Sequence, residues 1–162
     1  MEIQPGVVLP DELSAALAQA GGRLDFFASK VRWFPQVGST NDVATMLAER
    51  GAEQGVVVVA DQQTAGRGRL GRSWASPPGA GIYMSVVLRP SPRAAALLTI
   101  AAGVAVADAV AQATGLDVQL KWPNDVYVAD RKLAGILAEG APRYVVLGIG
   151  INVLPAAYPP DV

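Results

Sequence analysis

Three arginines alternate with glycines in Gly66-Arg67-Gly68-Arg69-Leu70-Gly71-Arg72. Glycines at 66, 68 and 71 let a backbone approach a ligand closely and turn its amide N–H groups toward anionic oxygens. The guanidinium groups of Arg67, Arg69 and Arg72 add forked, permanently charged donors suited to carboxylate or phosphate. No Gly-Lys-Ser/Thr follows, so the run is not a P-loop. No helix pattern opens directly after it, which separates it from a dinucleotide fingerprint. Lys132 brings a charge into the apolar setting of Leu133-Ala134-Gly135-Ile136, and Lys121-Trp122-Pro123-Asn124-Asp125 interrupts a strand-like stretch. Trp122 reads as a core residue there, and Asp125 as a group that orients a neighbour by hydrogen bonding. Ser39-Thr40-Asn41 places three short polar side chains at a turn, where capping a helix and meeting a ligand are compatible roles.

Composition narrows the chemistry further. The 162 residues contain neither cysteine nor histidine. Thiol nucleophiles, cysteine-ligated zinc, iron–sulfur clusters and any triad built on a His base are thereby excluded. A chain of this length fits one domain and buries about 70% of its unfolded surface, and 51% hydrophobic residues supply core material. The net charge is −1, which gives no reason to expect DNA binding. The distribution of charge says more. No acidic residue falls between Asp61 and Asp108, whereas Arg67, Arg69, Arg72, Arg89 and Arg93 all do. A local cationic loop on a near-neutral chain points to a small anionic ligand. The N-terminus lacks a signal-peptide pattern, and the most apolar window, from Ala94 to Ala107, is too short for the roughly 20 residues of a bilayer span. It reads as a buried core helix. A cytoplasmic location, with no membrane contact, is expected.

These groups need elements to position them. A helix is expected from Asp11 to Ala20, capped by Asp11 and ended by Gly21-Gly22. A strand follows from Lys30 to Val37, then the Ser39-Thr40-Asn41 turn and a helix from Asp42 to Arg50. The β-branched run Gly55 to Ala60 reads as a buried strand. Gln62 to Gly81 reads as a long loop, of a kind that is functional or disordered in a compact domain. A strand from Ile82 to Leu88 leads to a long helix, about Arg93 to Ala113, closed by Gly115. Val118 to Lys121 is strand-like. Val126 to Val128 and Leu133 to Glu139 form a hairpin about Ala129-Asp130-Arg131, and Tyr144 to Val153 is a last strand with Gly148 and Gly150 inside it. Glycine within a strand marks close approach of a backbone or a ligand. The fold class is therefore α+β, a mixed, largely antiparallel sheet flanked by helices.

The run Gln63-Thr64-Ala65-Gly66-Arg67-Gly68-Arg69-Leu70-Gly71-Arg72-Ser73-Trp74 resembles the signature loop of biotin–protein ligases. Lys121-Trp122-Pro123-Asn124-Asp125 with Lys132-Leu133-Ala134-Gly135-Ile136-Leu137 is similar to the family's second signature. Ser39-Thr40-Asn41 and Gly148-Ile149-Gly150-Ile151-Asn152-Val153 match two further landmarks in the same order. The resemblance implies the class II aminoacyl-tRNA synthetase/biotin ligase catalytic fold. It also implies an activity in which the carboxylate of biotin attacks the α-phosphorus of ATP, with Mg2+ accompanying ATP. The resulting biotinyl-5'-AMP then passes biotin to a lysine of a biotin carboxyl carrier domain. By the same resemblance Arg67 and Lys132 are catalytic. Ser39, Thr40, Asn41, Gln63, Arg67, Gly68, Arg69, Lys132 and Gly135 bind biotin, and Arg69, Arg72, Trp74 and Asn124 bind ATP or the adenylate. Metal ligands stay unassigned.

Two rivals have different consequences. A lipoate ligase or octanoyl transferase shares the fold and a lysine like Lys132, but the transferase needs a cysteine and the lipoate enzymes carry a different glycine–arginine pattern. A non-catalytic biotin-binding fragment is the rival from another class. Family members with a helix-turn-helix ahead of the catalytic pattern repress transcription. Here about 30 residues with one expected helix and few cations precede it, so DNA binding is not expected. The expected organisation is a single catalytic domain over 1–162, with a helical lead-in over about 1–29, the start of a linker over 154–162, and no C-terminal β-barrel domain.

Overall fold

In the computed structural model, which describes residues 8–24, 26–154 and 158, seven strands form one sheet. They are β1 (Val31–Val37), β2 (Val57–Gln63), β3 (Gly81–Leu88), β4 (Gln119–Lys121), β5 (Asp125–Val128), β6 (Arg131–Ala141) and β7 (Tyr144–Asn152). Their spatial order is β1, β2, β3, β7, β6, β5, β4. The pair β1 and β2 is parallel, because helix α3 (Thr40–Glu49) crosses between them, and every other pair is antiparallel. The expected mixed, largely antiparallel sheet is what forms. Most of the linker expected over 154–162 lies outside the described residues, as does the start of the lead-in.

Alternation along the central strand divides the core in two. Val146 packs with Val43, Ala44 and Ala48 of α3, whereas its neighbour Leu147 packs with Ala102 and Val106 of α5 (Leu98–Thr114). Successive strand residues point to opposite faces, so α3 and α5 cover opposite sides of the sheet. On β3, Ser85 and Val87 share the α3 side, where Ser85 meets Thr40 and Asn41. That side carries the polar chemistry described below.

Several expectations need correction. The helix α1 (Asp11–Gln19) takes Asp11 as its first residue, not its cap: Pro10 holds that position without a side-chain bond. The Gly21-Gly22 pair opens a second short helix, α2 (Gly21–Leu24), instead of ending the chain's helical path. The long helix is broken into α4 (Pro92–Ala95) and α5, because Leu97 N–H bonds to Ala94 C=O three residues back. Nor is α5 a buried core helix. Ala102, Gly103 and Val106 are buried, while Leu97, Ile100 and Val104 face solvent. No helix of the described residues is long and apolar enough to cross a membrane.

The Gln62–Gly81 loop is folded. Strand β2 runs on to Gln63, and beyond it the chain closes a small hairpin of its own. Trp74 N–H donates to Gly66 C=O (2.9 Å) and Gly68 N–H to Arg72 C=O (2.7 Å), with a 3-10 turn at Arg69–Gly71 as its tip. The loop's return arm is tied to β3 through Tyr83, which has no solvent exposure. Its hydroxyl donates to Pro77 C=O (3.0 Å) and lies 2.7 Å from the hydroxyl of Tyr158.

A bulge between β5 and β6 sets which face Lys132 takes. Asp125 pairs with Gly135 and Val126 with Ala134, but Tyr127 pairs with Lys132, leaving Leu133 as the extra residue. Without it, residues 132 and 135 would point to opposite faces. With it, Lys132, Asp125 and Gly135 share one face, and Leu133 packs with the α5 core.

Burial first, then the contact with Tyr158, pushes the Tyr83 phenol well above its ordinary value near 10. Below that value both folded and unfolded chains keep the proton. Above it only the folded chain does, so stability is lost as pH rises. The expected cost is up to about 1.4 kcal/mol per pH unit. Urea denaturation between about pH 9 and 11 should show this fall, and Tyr83→Phe should flatten it.

Candidate active site

One cavity of about 390 Å³ opens on the α3 side of the sheet. All twelve residues singled out from the sequence line it: Ser39, Thr40, Asn41, Gln63, Arg67, Gly68, Arg69, Arg72, Trp74, Asn124, Lys132 and Gly135. The start of α3 brings the Ser-Thr-Asn turn, the end of β2 and the loop after it bring Gln63, the Gly-Arg run and Trp74, the β4–β5 turn brings Asn124, and β6 brings Lys132 and Gly135, with β3 and β7 adding Met84, Gly148 and Gly150.

The Ser-Thr-Asn side chains do not cap α3. Ser39 sits at the N-cap position without a capping bond, and Thr40 and Asn41 are engaged sideways by other elements. Gln63 Oε1 accepts from Thr40 N–H (2.8 Å), and Thr40 Oγ1 lies 3.0 Å from it. Gln63 Nε2 donates to Ser76 Oγ (2.8 Å). Beneath them Ser85, fully buried, lies 2.8 Å from Thr40 Oγ1 and 2.6 Å from Asn41 Oδ1. Asn41 Nδ2 donates in turn to the Glu139 carboxylate.

Proton counting fixes the polarity of this wall. Thr40–Gln63, Thr40–Ser85 and Ser85–Asn41 are three contacts between oxygens, and the two hydroxyls carry one proton each. Since Asn41 Nδ2 faces a carboxylate, its Oδ1 faces Ser85 and takes the Ser85 proton. Thr40 then sends its own proton to Ser85 or Gln63. The Thr40 hydroxyl is left without an uncommitted proton, while Gln63 keeps one amide proton free.

Arg67 lines the cavity, but its guanidinium is occupied. It grips Asp42 with two bonds (2.9 and 2.7 Å) and reaches Glu139 at 3.1 Å. Its pKa is raised, chiefly by the bonds to Asp42, against a partial loss of hydration and with further help from Glu139. The charges on two carboxylates outweigh that on one arginine, so Arg67 fastens the loop to α3 and β6 and adds no free positive charge. Arg69, by contrast, donates only a long bond to Asn124 Oδ1 (3.3 Å), and both Arg69 and Arg72 are exposed. Lys132 Nζ lies 2.8 Å from Asp125 Oδ1, an ion pair by distance without hydrogen-bond alignment. The hydrogen bond expected of Asp125 is not formed through this oxygen, and an ion pair with Lys132 stands in its place.

Trp74 lies across two strands. A Cβ at Gly135 would come within 2.9 Å of its ring, and one at Gly150 would overlap it; these two glycines are register partners on β6 and β7. Lys132 Nζ stands 5.2 Å from the ring centroid. The indole Nε1–H is buried without a partner, as is Asn152 Oδ1. Gly148 leaves the space that Asn41 fills. One reading is overturned here: Trp122 is not core but 83% exposed at the rim of the cavity.

Ser85, Ser76, Asp42 and Glu139 were not singled out in the sequence. A lone serine in the strand Ile82 to Leu88 carries no signal of its own. Glu139 meets Asn41 98 residues away, and only the sheet register brings them together. Gly148 and Gly150 did carry a signal, as glycines inside a strand.

Residues 33–154 match the biotin/lipoate A/B protein ligase family. The chain is 48% identical over 128 residues to the biotin–[acetyl-CoA-carboxylase] ligase of Mycobacterium tuberculosis, covering 75% of this chain and 48% of that protein. It is 39% identical over 158 residues to the bifunctional ligase/repressor BirA of Escherichia coli, covering 91% and 48%. It spans about half the length of the curated relatives it matches. Among solved structures, the biotin protein ligase of Aquifex aeolicus in complex with biotin and ATP aligns with a TM-score of 0.70 at 38% identity, over 82% of this chain and 56% of that one. The Leishmania major enzyme in complex with biotinyl-5-AMP aligns at 0.71 and 33%, over 82% and 60%. The mixed sheet with its flanking helices is the biotin/lipoate ligase fold.

Ser85→Ala removes the donor to Asn41 Oδ1 and leaves that oxygen buried. The expected loss is about 1–3 kcal/mol of folding stability, read as a lower urea midpoint with an unchanged slope.

Proposed function

The chain belongs to the biotin/lipoate A/B protein ligase family, and on that premise we propose that it activates biotin with ATP to biotinyl-5'-AMP and transfers biotin to a lysine of a biotin carboxyl carrier domain. One observation carries the choice of biotin. The cavity wall sets a lone-pair acceptor, Thr40, beside a free amide donor, Gln63. A cyclic urea offers an N–H to the first and a carbonyl to the second. Lipoic and octanoic acids offer neither at that end, and a site left with unmet polar groups discriminates strongly. Ser39 and Asn41 complete the polar wall, and Gly135 makes the space that the Trp74 ring occupies.

The first step brings together two anions, a carboxylate and a triphosphate. At 4 Å an uncancelled pair of charges costs about 4 kcal/mol at an effective dielectric near 20. Cations and oriented amides answer that need better than an acid–base pair. Arg69 and Arg72 supply free charge at the loop, and Gly68 allows close approach of the backbone. Lys132, held against Asp125 before substrate arrives, is assigned to the reacting carboxylate and α-phosphate as charge moves toward pyrophosphate. Arg67 acts from behind by holding the loop in place. Trp74 and Asn124 are assigned to the adenosine end.

Among the described residues no group of three or more His, Cys, Asp or Glu side chains is placed to hold a metal ion. Mg2+, which binds through substrate phosphates and few carboxylates, is assigned to the phosphate oxygens of ATP. The absence of cysteine and histidine supports a chemistry of positioning and charge, and fits a cytoplasmic setting.

Calorimetry should show biotin binding with no effective competition from lipoic or octanoic acid; lipoic acid binding as tightly as biotin would overturn the assignment. Lys132→Ala should slow single-turnover pyrophosphate release by about 100- to 1,000-fold while changing biotin affinity far less. An unchanged rate would make Lys132 a structural residue.

A further inference from the structure

Leu70 occupies the tip of the Gly-Arg hairpin in a left-handed conformation, φ 58° and ψ 35°. Glycine or asparagine adopts that conformation at less cost. Its side chain is 88% exposed. Trp122, at the turn before β5, is 83% exposed. Both stand at the rim of one cavity. Each on its own is an exposed apolar residue of the ordinary kind. Together they set two large apolar side chains in water on separate segments at the opening of the cavity, one of them at a backbone position that disfavours it.

The uncommitted charges lining this rim are positive. Arg69 and Arg72 are exposed there, and neither is paired with a carboxylate among the described residues. The one acidic residue lining the cavity, Asp125, is paired with Lys132, whereas Asp42 and Glu139, which share Arg67, do not line it.

We propose that Leu70 and Trp122 form the docking surface for the acceptor protein, whose lysine enters the cavity between apolar neighbours and whose surrounding surface is acidic. This rests on the ligase reading. Under it, the neutral amine of the acceptor lysine attacks the acyl carbon of the adenylate. The carbon–nitrogen bond forms, the bond to the phosphate oxygen breaks, AMP leaves, and the amine's proton passes to solvent. The lysine must reach the acyl carbon from outside while the rest of its domain stays at the opening. That is where the two side chains stand, with the basic rim complementary to an acidic partner.

Two acceptors separate docking from chemistry. Hydroxylamine attacks the same acyl carbon and forms the hydroxamate with release of AMP, yet it needs no docking surface. A carrier domain from a bacterial acetyl-CoA carboxylase needs one. Trp122→Ser and Leu70→Asn should each raise KM for the carrier domain by about tenfold or more, with hydroxamate formation within about twofold of the parent. Asparagine tolerates the left-handed conformation, so the second variant removes the side chain without distorting the hairpin tip. Added salt should raise KM for the carrier domain and leave the hydroxylamine rate unchanged. If carrier KM is unchanged in both variants, or if hydroxamate formation slows as much as carrier labelling, the docking assignment is overturned. In the second case the two side chains serve the small-molecule site instead. A parent that forms no hydroxamate would overturn the ligase reading itself, and this inference with it.

Discussion

Ser85 never meets solvent, yet its hydroxyl touches two polar side chains of α3, and through them the end of β2 and the far end of β6. A buried polar group is costly unless it is satisfied, and in a low-dielectric setting a satisfied one is correspondingly directional. Three oxygen contacts sharing two protons leave little freedom in how that satisfaction is arranged. The carboxylate of Glu139 breaks the remaining tie by fixing which end of Asn41 faces the sheet. From that follows the acceptor character of Thr40, while the bonds from Thr40 and to Ser76 orient Gln63 and Arg67 seats the Gly-Arg loop. This polar wall of the cavity is ordered from beneath, by groups that do not line it.

The same economy explains Arg67. Within Gly66-Arg67-Gly68-Arg69 the two arginines look equivalent, but they do different work. Arg67 has two carboxylates within reach and spends its charge on structure, whereas Arg69 meets only the neutral Asn124. Counting cations in a motif overstates the field available to a ligand. What matters is which of them already have partners.

Much of the cavity lining could be read in the sequence, because its polar residues occur in short runs whose chemistry is local. All twelve converge on one cavity. What could not be read depends on register. Lys132 faces the cavity because Leu133 bulges out of the β5–β6 pairing, and no pattern in Lys132-Leu133-Ala134-Gly135 announces a bulge. Ser85 and Glu139 acquire their roles from partners 44 and 98 residues away. Trp122 was misread for a different reason: a tryptophan beside a strand is ordinarily buried, and its exposure depends on what the neighbouring turn leaves uncovered. The long loop was read as functional or disordered, while the short-range bonds from Gly66 to Trp74 give it a shape of its own.

The indole of Trp74 rests on backbone, not on side chains. Its two supports, Gly135 and Gly150, are paired across β6 and β7, and each has its Cβ position taken by the ring. The tolerance of these three positions is therefore interdependent. A library that keeps tryptophan at 74 will recover little but glycine at 135 and 150, while one that first trims 74 opens both. Divergence at these three positions therefore has to begin at 74.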